Sequence, residues 1–413
     1  MSNKVFFLIL FVIFWNLFFP TKYLIPDLTL DGWIKNFMLL GVFLYFRNDI
    51  YVFLFGEFRR FNKALILYCI ICVISVLVNS SDVSRYNCSL EKIDGSIVDV
   101  NAVISPKQTI YYCISLISMT MLIERVSYEN KTDILYRYLF YFMLPLVIWV
   151  DIDAFNHVVV NGAIGGYIVG TKFQVCYFHF FLIILYYLNH PNLNSFIEKL
   201  TIFVLIIVSW FLCAHTECST MKFGTLLFVI FLFLPSWCKT VLFSEKLVVF
   251  SSIILGIGFF LFTSWALQFE ILENVIVGML NEDMTLTGRL GIFENILEAF
   301  QQPAHLAFGY GNGNSVVISI FYGCGYNPQN GLIEVFLNIG ILGCLSFLWL
   351  MYQSFSRLDY KSYYKYPIVV FVYIMIIVSM IEVPFDRIFM FFIILLLADV
   401  SERKKQVLKY LNT

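Results

Sequence analysis

Apolar runs long enough to cross a lipid bilayer recur from one end of this chain to the other, and they exclude almost every soluble fold. A hydrocarbon core about 30 Å thick takes roughly 20 apolar residues as a helix. Against that length the sequence holds about twelve runs, centred on 5–20, 32–46, 64–79, 107–123, 134–152, 173–188, 200–214, 223–238, 247–267, 332–352, 367–381 and 388–400. Lipid offers the backbone no partner, so each run has to close its own hydrogen bonds as a helix. A membrane β-barrel would show alternating segments of about ten residues, whereas the runs here are continuous. The expectation is an all-α integral membrane protein, a single polytopic domain over 1–413 whose main partner is the lipid bilayer. Composition agrees, with 13% charged residues against about 25% in soluble domains. A net charge of -1 leaves no basic surface for nucleic acid, and no nucleic-acid partner is expected. The run from Val5 to Pro20 lacks a small-residue cleavage site and reads as a retained first span.

Lys and Arg placement sets the expected orientation. With both termini on the cytoplasmic side, about eighteen cations fall inside and about nine outside, the sign of the positive-inside rule. This leaves 80–106, 153–172 and 268–331 outside, the last being the longest connection. Ten cysteines show no C-x-x-C or Cys/His ligand spacing and read mainly as small buried apolar residues.

The long outer loop, 268–331, has internal order. From Arg289 to Phe300, apolar residues at 290, 293, 297 and 300 alternate with Glu294 and Glu298, the spacing of an amphipathic helix at the membrane surface. Thr287 is placed to cap it, Pro303 to end it, and Gly309-Tyr310-Gly311-Asn312-Gly313 reads as a turn. Between Lys246 and Arg357, Arg289 is the sole Lys or Arg, and it stands among acidic neighbours. It either pairs with Glu282 or Asp283 or meets an anion brought by a substrate. A guanidinium at a helix N-terminus, beside free N–H groups, suits phosphate oxygens.

The ordered set Thr285-Leu286-Thr287-Gly288-Arg289, then Gly309-x-Gly-x-Gly, then Asn330-Gly331-Leu332-Ile333-Glu334 leading to Asn338-Ile339-Gly340-Ile341-Leu342-Gly343 resembles the O-antigen polymerase/O-antigen ligase superfamily. The likeness covers about 60 residues around the large loop, which in that family is periplasmic; elsewhere it rests on span count alone. It implies a glycosyltransferase of the bacterial inner (cytoplasmic) membrane that acts on undecaprenyl-diphosphate-linked oligosaccharide and takes no cofactor. The resemblance also implies two pathway partners, a chain-length regulator and a flippase. Where relatives carry His before Asn, this chain has Gln329, which cannot serve as a general base. That departure favours the polymerase branch over the ligase that moves finished chains onto lipid A-core.

Arg289 and Glu334 are the expected catalytic residues, Arg289 for the departing diphosphate and Glu334 for the acceptor proton. Thr287, Gly288, Gln329 and Asn330 are expected to line the substrate site, although Gln329 and Asn330 read equally well as a polar turn capping the next span. Lys172 and Lys222 match the family more loosely as outer cations for a second lipid diphosphate, or as snorkelling lysines. Arg387 is a further candidate, paired with Asp386 or Glu382. His305 is the alternative base, though its spacing suits an exposed loop histidine. No His/Asp/Glu cluster has metal-ligand spacing, so no metal is expected. A flippase of the same lipid-linked sugars is the competing class, but its charges would line a mid-membrane cavity, and here they gather at span ends.

Overall fold

A computed structural model of the chain describes residues 2–18, 28–79, 83–91, 97–100, 106–156, 167–169, 171–190, 195–259, 261, 289–324, 328–358 and 364–398. Among them the structure is helical apart from one hairpin. The helices are α1 (Asn3–Phe18), α2 (Leu28–Tyr45), α3 (Ile50–Phe55), α4 (Arg59–Val78), α5 (Pro106–Tyr128) and α6 (Thr132–Asn156). They continue with α7 (Lys172–Asn189), α8 (Phe196–His215), α9 (Ser219–Leu232), α10 (Ser236–Leu242) and α11 (Glu245–Ile253). The last six are α12 (Arg289–Phe300), α13 (Pro303–Leu306), α14 (Ser315–Phe321), α15 (Gly331–Phe355), α16 (Tyr366–Val378) and α17 (Arg387–Leu395).

Every predicted apolar run has a helix in it, but helix length separates the runs into two kinds. Among the described residues, six helical stretches are long and apolar enough to cross a membrane: Trp33–Phe55, Arg59–Val78, Pro106–Tyr128, Thr132–Asn156, Phe196–His215 and Gly331–Phe355. A seventh follows if α10 and the helix from Glu245 to Gly258, bent by 73°, count as one broken span. Among the described residues, length and composition thus support six or seven of the twelve expected spans. Helix α1 has 16 residues, α9 has 14 and α16 has 13. At 1.5 Å per residue these give about 20–24 Å, short of a 30 Å core.

The short helices include the most deeply buried. In α16, 12 of 13 side chains are buried, and in α7 14 of 18. A helix apolar all round packs in an interior, and α7, α16 and α17 form one centre with interlocked rings such as Phe371–Phe392 (4.1 Å) and Phe181–Phe392 (4.7 Å). The capping box of Thr171 and Gln174 starts α7. Longer helices stand around this centre, α8 with only 22% of its apolar window buried. The cysteines are all unpaired and seven of the ten are buried.

Two features depart from the sequence reading. The connection after α4 holds a hairpin, β1 (Cys88–Glu91) antiparallel to β2 (Ile97–Val100), with Cys88 opposite Val100 and Glu91 opposite Ile97. Its signal was the run Ile97-Val98-Asp99-Val100, rich in β-branched residues, after the turn pair Asp94-Gly95. The second departure is Pro303, which opens α13 as its first residue and follows, instead of ending, the helix that stops at Phe300.

Candidate functional site

Helix α15 starts with Asn330, whose Oδ1 accepts from the Leu332 and Ile333 N–H groups (both 3.1 Å) while its Nδ2 donates to the Gly256 carbonyl (3.1 Å). Both ends of this fully buried amide are committed to protein. Asn330 caps α15, as the polar-turn reading expected. Gln329, half-buried and left-handed (φ 48), turns the chain into that cap. Gly331 follows because a Cβ would lie 2.9 Å from that of Ser379.

The helix then breaks at Gly340 (φ 69, ψ -169). A break frees carbonyls and N–H groups that an α-helix would pair, and buried ones need new partners. The glycine-rich turn of the large loop supplies them. Tyr310 N–H donates to the Leu337 carbonyl (2.7 Å), and Leu342 N–H to the Ala307 carbonyl (3.2 Å). The Ser75 hydroxyl of α4 lies between the carbonyls of Phe308 (2.5 Å) and Asn338 (2.7 Å). Gly309 (φ +66) sits so close that a Cβ would be 2.6 Å from the Gly340 nitrogen.

His305 holds this docking in place. It is 4% exposed, which overturns the expectation of an exposed loop histidine. Nδ1 faces the Asn79 Oδ1 (2.8 Å) and the Gly309 carbonyl (3.2 Å), both acceptors, so it carries the proton. Nε2 then accepts from the Tyr86 hydroxyl (2.8 Å). The ring stacks on Tyr310 at 4.1 Å. Tyr86 comes from a short turn the sequence did not single out. A histidine held by both nitrogens is a clamp and is not placed as a base for an incoming hydroxyl.

One turn beyond the cap, Glu334 points the other way. Its Oε1 accepts from the Ser315 hydroxyl at the start of α14 (3.1 Å). One turn further, Asn338 Oδ1 accepts from the Gly313 (2.9 Å) and Ser315 (3.1 Å) N–H groups. Glu334 and Asn338 are both half-buried. From here a chain of polar groups crosses the end of the bundle. Asn312 Nδ2 donates to Thr109 Oγ1 of α5 (3.2 Å), and Tyr112, one turn on, lies under the Arg387 guanidinium (5.8 Å). Asp386 lies within Coulombic reach of Glu334.

Arg387 is exposed, and Asp386 caps α17 through Ile388 and Phe389 N–H (2.9 and 3.1 Å). Burial pushes the Asp386 carboxyl up, to about 6, against the pull of those N–H donors and of Arg387. Lys172 belongs to a neighbouring cluster, donating to the Glu217 carbonyl (3.1 Å). Tyr177 on the same helix reaches the Pro384 carbonyl (3.2 Å), so the segment before α17 joins the two groups. Lys222, half-buried in the first turn of α9, is at the same end.

Arg289 opens α12, but its side chain, with Thr287 and Gly288, lies outside the described residues. The helix itself is where the apolar spacing put it. It buries Ile296 and Ala299 against Tyr310, Ile318 and Leu337, and Phe300 meets Phe336 at 4.4 Å. Among the described side chains of this helix, Ile296 and Ala299 are buried in protein and Leu297 and Phe300 are half-buried; those of 290 and 293 lie outside the described residues. The structure therefore gathers Glu334, Arg387, Gln329 and Asn330 at one end of the bundle, with Lys172 and Lys222 beside them. Among the described residues no group of His, Cys, Asp and Glu is arranged to hold a metal ion.

Comparison of the chain with protein-family models, with curated proteins and with solved structures finds no match.

Proposed function

We propose that this chain is an O-antigen polymerase, a glycosyltransferase of the bacterial inner membrane with both termini in the cytoplasm. It joins undecaprenyl-diphosphate-linked oligosaccharide units on the periplasmic side during lipopolysaccharide synthesis. The observation that carries the reading is Glu334, a half-buried carboxylate held by Ser315 where the large loop docks on the broken helix. Around it are hydroxyl and amide groups of the kind that bind sugars, and an exposed cation, Arg387.

In this reaction a hydroxyl of the incoming lipid-linked unit attacks the anomeric carbon of the growing chain. The new carbon–oxygen bond forms as the bond to the lipid diphosphate breaks, and the diphosphate leaves with the electron pair. Glu334 takes the hydroxyl proton. Arg289, with Arg387 at the same end as Glu334, offsets charge on the departing diphosphate. Two substrates anchored in one membrane leaflet are already partly aligned, which lowers the entropic cost of bringing them together.

The test is a deletion strain. Without the polymerase, ligation continues and lipid A-core carries a single repeat; the wild-type gene restores the ladder, and Glu334→Gln does not. A bare core with accumulating lipid-linked polymer would replace this reading with a ligase. Arg289→Ala should abolish long polymer while the protein still accumulates in the membrane, and Arg289→Lys should restore it only in part. Full-length polymer from the alanine variant would reduce Arg289 to an ion-pair partner.

A further inference from the structure

Far from Glu334, a cavity with charged residues in its lining sits at the other end of α5. Glu124 is fifteen residues after Thr109 on that helix, about 22 Å along its axis. There a space of about 190 Å³ is lined by Asp49, Val52, Met121, Glu124, Arg125, Tyr128 and Glu129. Two of its carboxylates are matched: Arg125 reaches Asp49 (2.7 Å) and Glu129 (3.1 Å), and Lys131 reaches Glu129 (2.7 Å).

Glu124 is different. It is 3% exposed; Oε2 accepts a long bond from Asn62 Nδ2 (3.4 Å), while Oε1 has no hydrogen-bond partner. The Asn62 amide is held more closely by the Phe53 carbonyl (2.6 Å). Arg357, in the turn after α15, is a nearby cation, yet it donates to the Glu57 carbonyl (2.7 Å) and lies over the Phe58 ring (4.2 Å). A buried carboxylate oxygen without a donor is costly, and a ligand that brings one removes that cost.

The surroundings narrow the ligand. Glu124 and Tyr128 both line this space, and Gly56 packs so closely beside them that a Cβ there would lie 2.9 Å from Glu124 Oε1 and 3.1 Å from the Tyr128 hydroxyl. The Tyr128 oxygen accepts from Glu57 N–H (3.3 Å) and keeps a second lone pair. Calcium or magnesium needs six or more oxygens, and two do not make such a site. A primary ammonium, compact and with three donors, fits two acceptors and a rim water. The neighbouring α3 exposes Tyr51 (74%) and Phe55 (63%), and the span containing it has 22% of its apolar window buried. Lipid is therefore the medium beside the cavity, and Arg125, 33% exposed and paired with Asp49 and Glu129, forms part of its lining.

We propose that this cavity binds the primary ammonium of an aminophospholipid headgroup through Glu124. The full chain, purified into nanodiscs of phosphatidylcholine with or without phosphatidylethanolamine, tests it by thermal unfolding. Phosphatidylethanolamine should raise the midpoint by a few degrees over phosphatidylcholine, whose ammonium has no N–H to give. Glu124→Gln should erase that difference while unfolding in pure phosphatidylcholine at or above the wild-type midpoint, which shows that the variant folds. Equal wild-type midpoints in the two lipids would overturn the proposal, as would a lipid-dependent rise that survives in Glu124→Gln. Free ethanolamine added to phosphatidylcholine discs should have little effect; a full rise from it would replace the lipid with a soluble amine.

Discussion

His305 and Asp386 show how far a residue's role depends on neighbours that are distant in the chain. Held by Asn79, Tyr86 and Gly309, His305 should act through the loop's position. His305→Ala leaves buried polar groups without partners, a loss of about 1–3 kcal/mol. Hydrogen exchange should rise across 305–313 and polymer should shorten; lost activity with unchanged exchange protection would instead make the ring a base. Asp386 offers a pH test. Its folded pKa of about 6 exceeds the unfolded value of about 4, so folding favours the protonated form. The stability it contributes is full below pH about 4 and is lost as pH rises through about 6. Asp386→Asn keeps a capping oxygen and carries no charge. It should be more stable than the wild type by about 1–3 kcal/mol at pH 7 and equal to it near pH 4, measured by thermal unfolding in detergent.

At the scale of elements, the decisive feature is that α15 is broken and the loop fills the break. Glycine is required where φ is positive and backbones touch, and the turn contains both conditions in separable form. Gly313 (φ +97) has nothing within 4 Å of a built Cβ, whereas Gly309 (φ +66) would strike the backbone of α15. Gly313→Ala should therefore cost only the strain of a left-handed alanine, about 1–2 kcal/mol. Gly309→Ala should undock the turn and lower the unfolding midpoint much further. Equal midpoints for the two variants would show that the close approach to Gly340 does not exist in the folded protein. The glycines and Asn330 were visible in the sequence as a motif. That Gly340 breaks a helix was not, because a glycine within an apolar run is also compatible with an unbroken span.

For the whole molecule, the charge bias gives a test of orientation: reporters fused at Leu280 and at Lys361 should report opposite sides of the membrane, and a shared side would remove the periplasmic assignment of the site. The order of residues alone makes the chain helical and suited to a membrane, because apolar length and backbone hydrogen bonding are local properties that no packing can reverse. It also located α12, because i, i+3, i+4 spacing needs no partner to be read. Which helices are long spans and which, like α7 and α16, form a buried centre is settled by packing, because an all-apolar helix looks the same to lipid and to protein. The tertiary structure likewise decided what covers α12, that Asn330 is committed to Gly256, and that His305 meets Asn79 and Tyr86 from over 200 residues away. Those pairings depend on which surfaces the packed helices bring together, and no spacing along the chain encodes that.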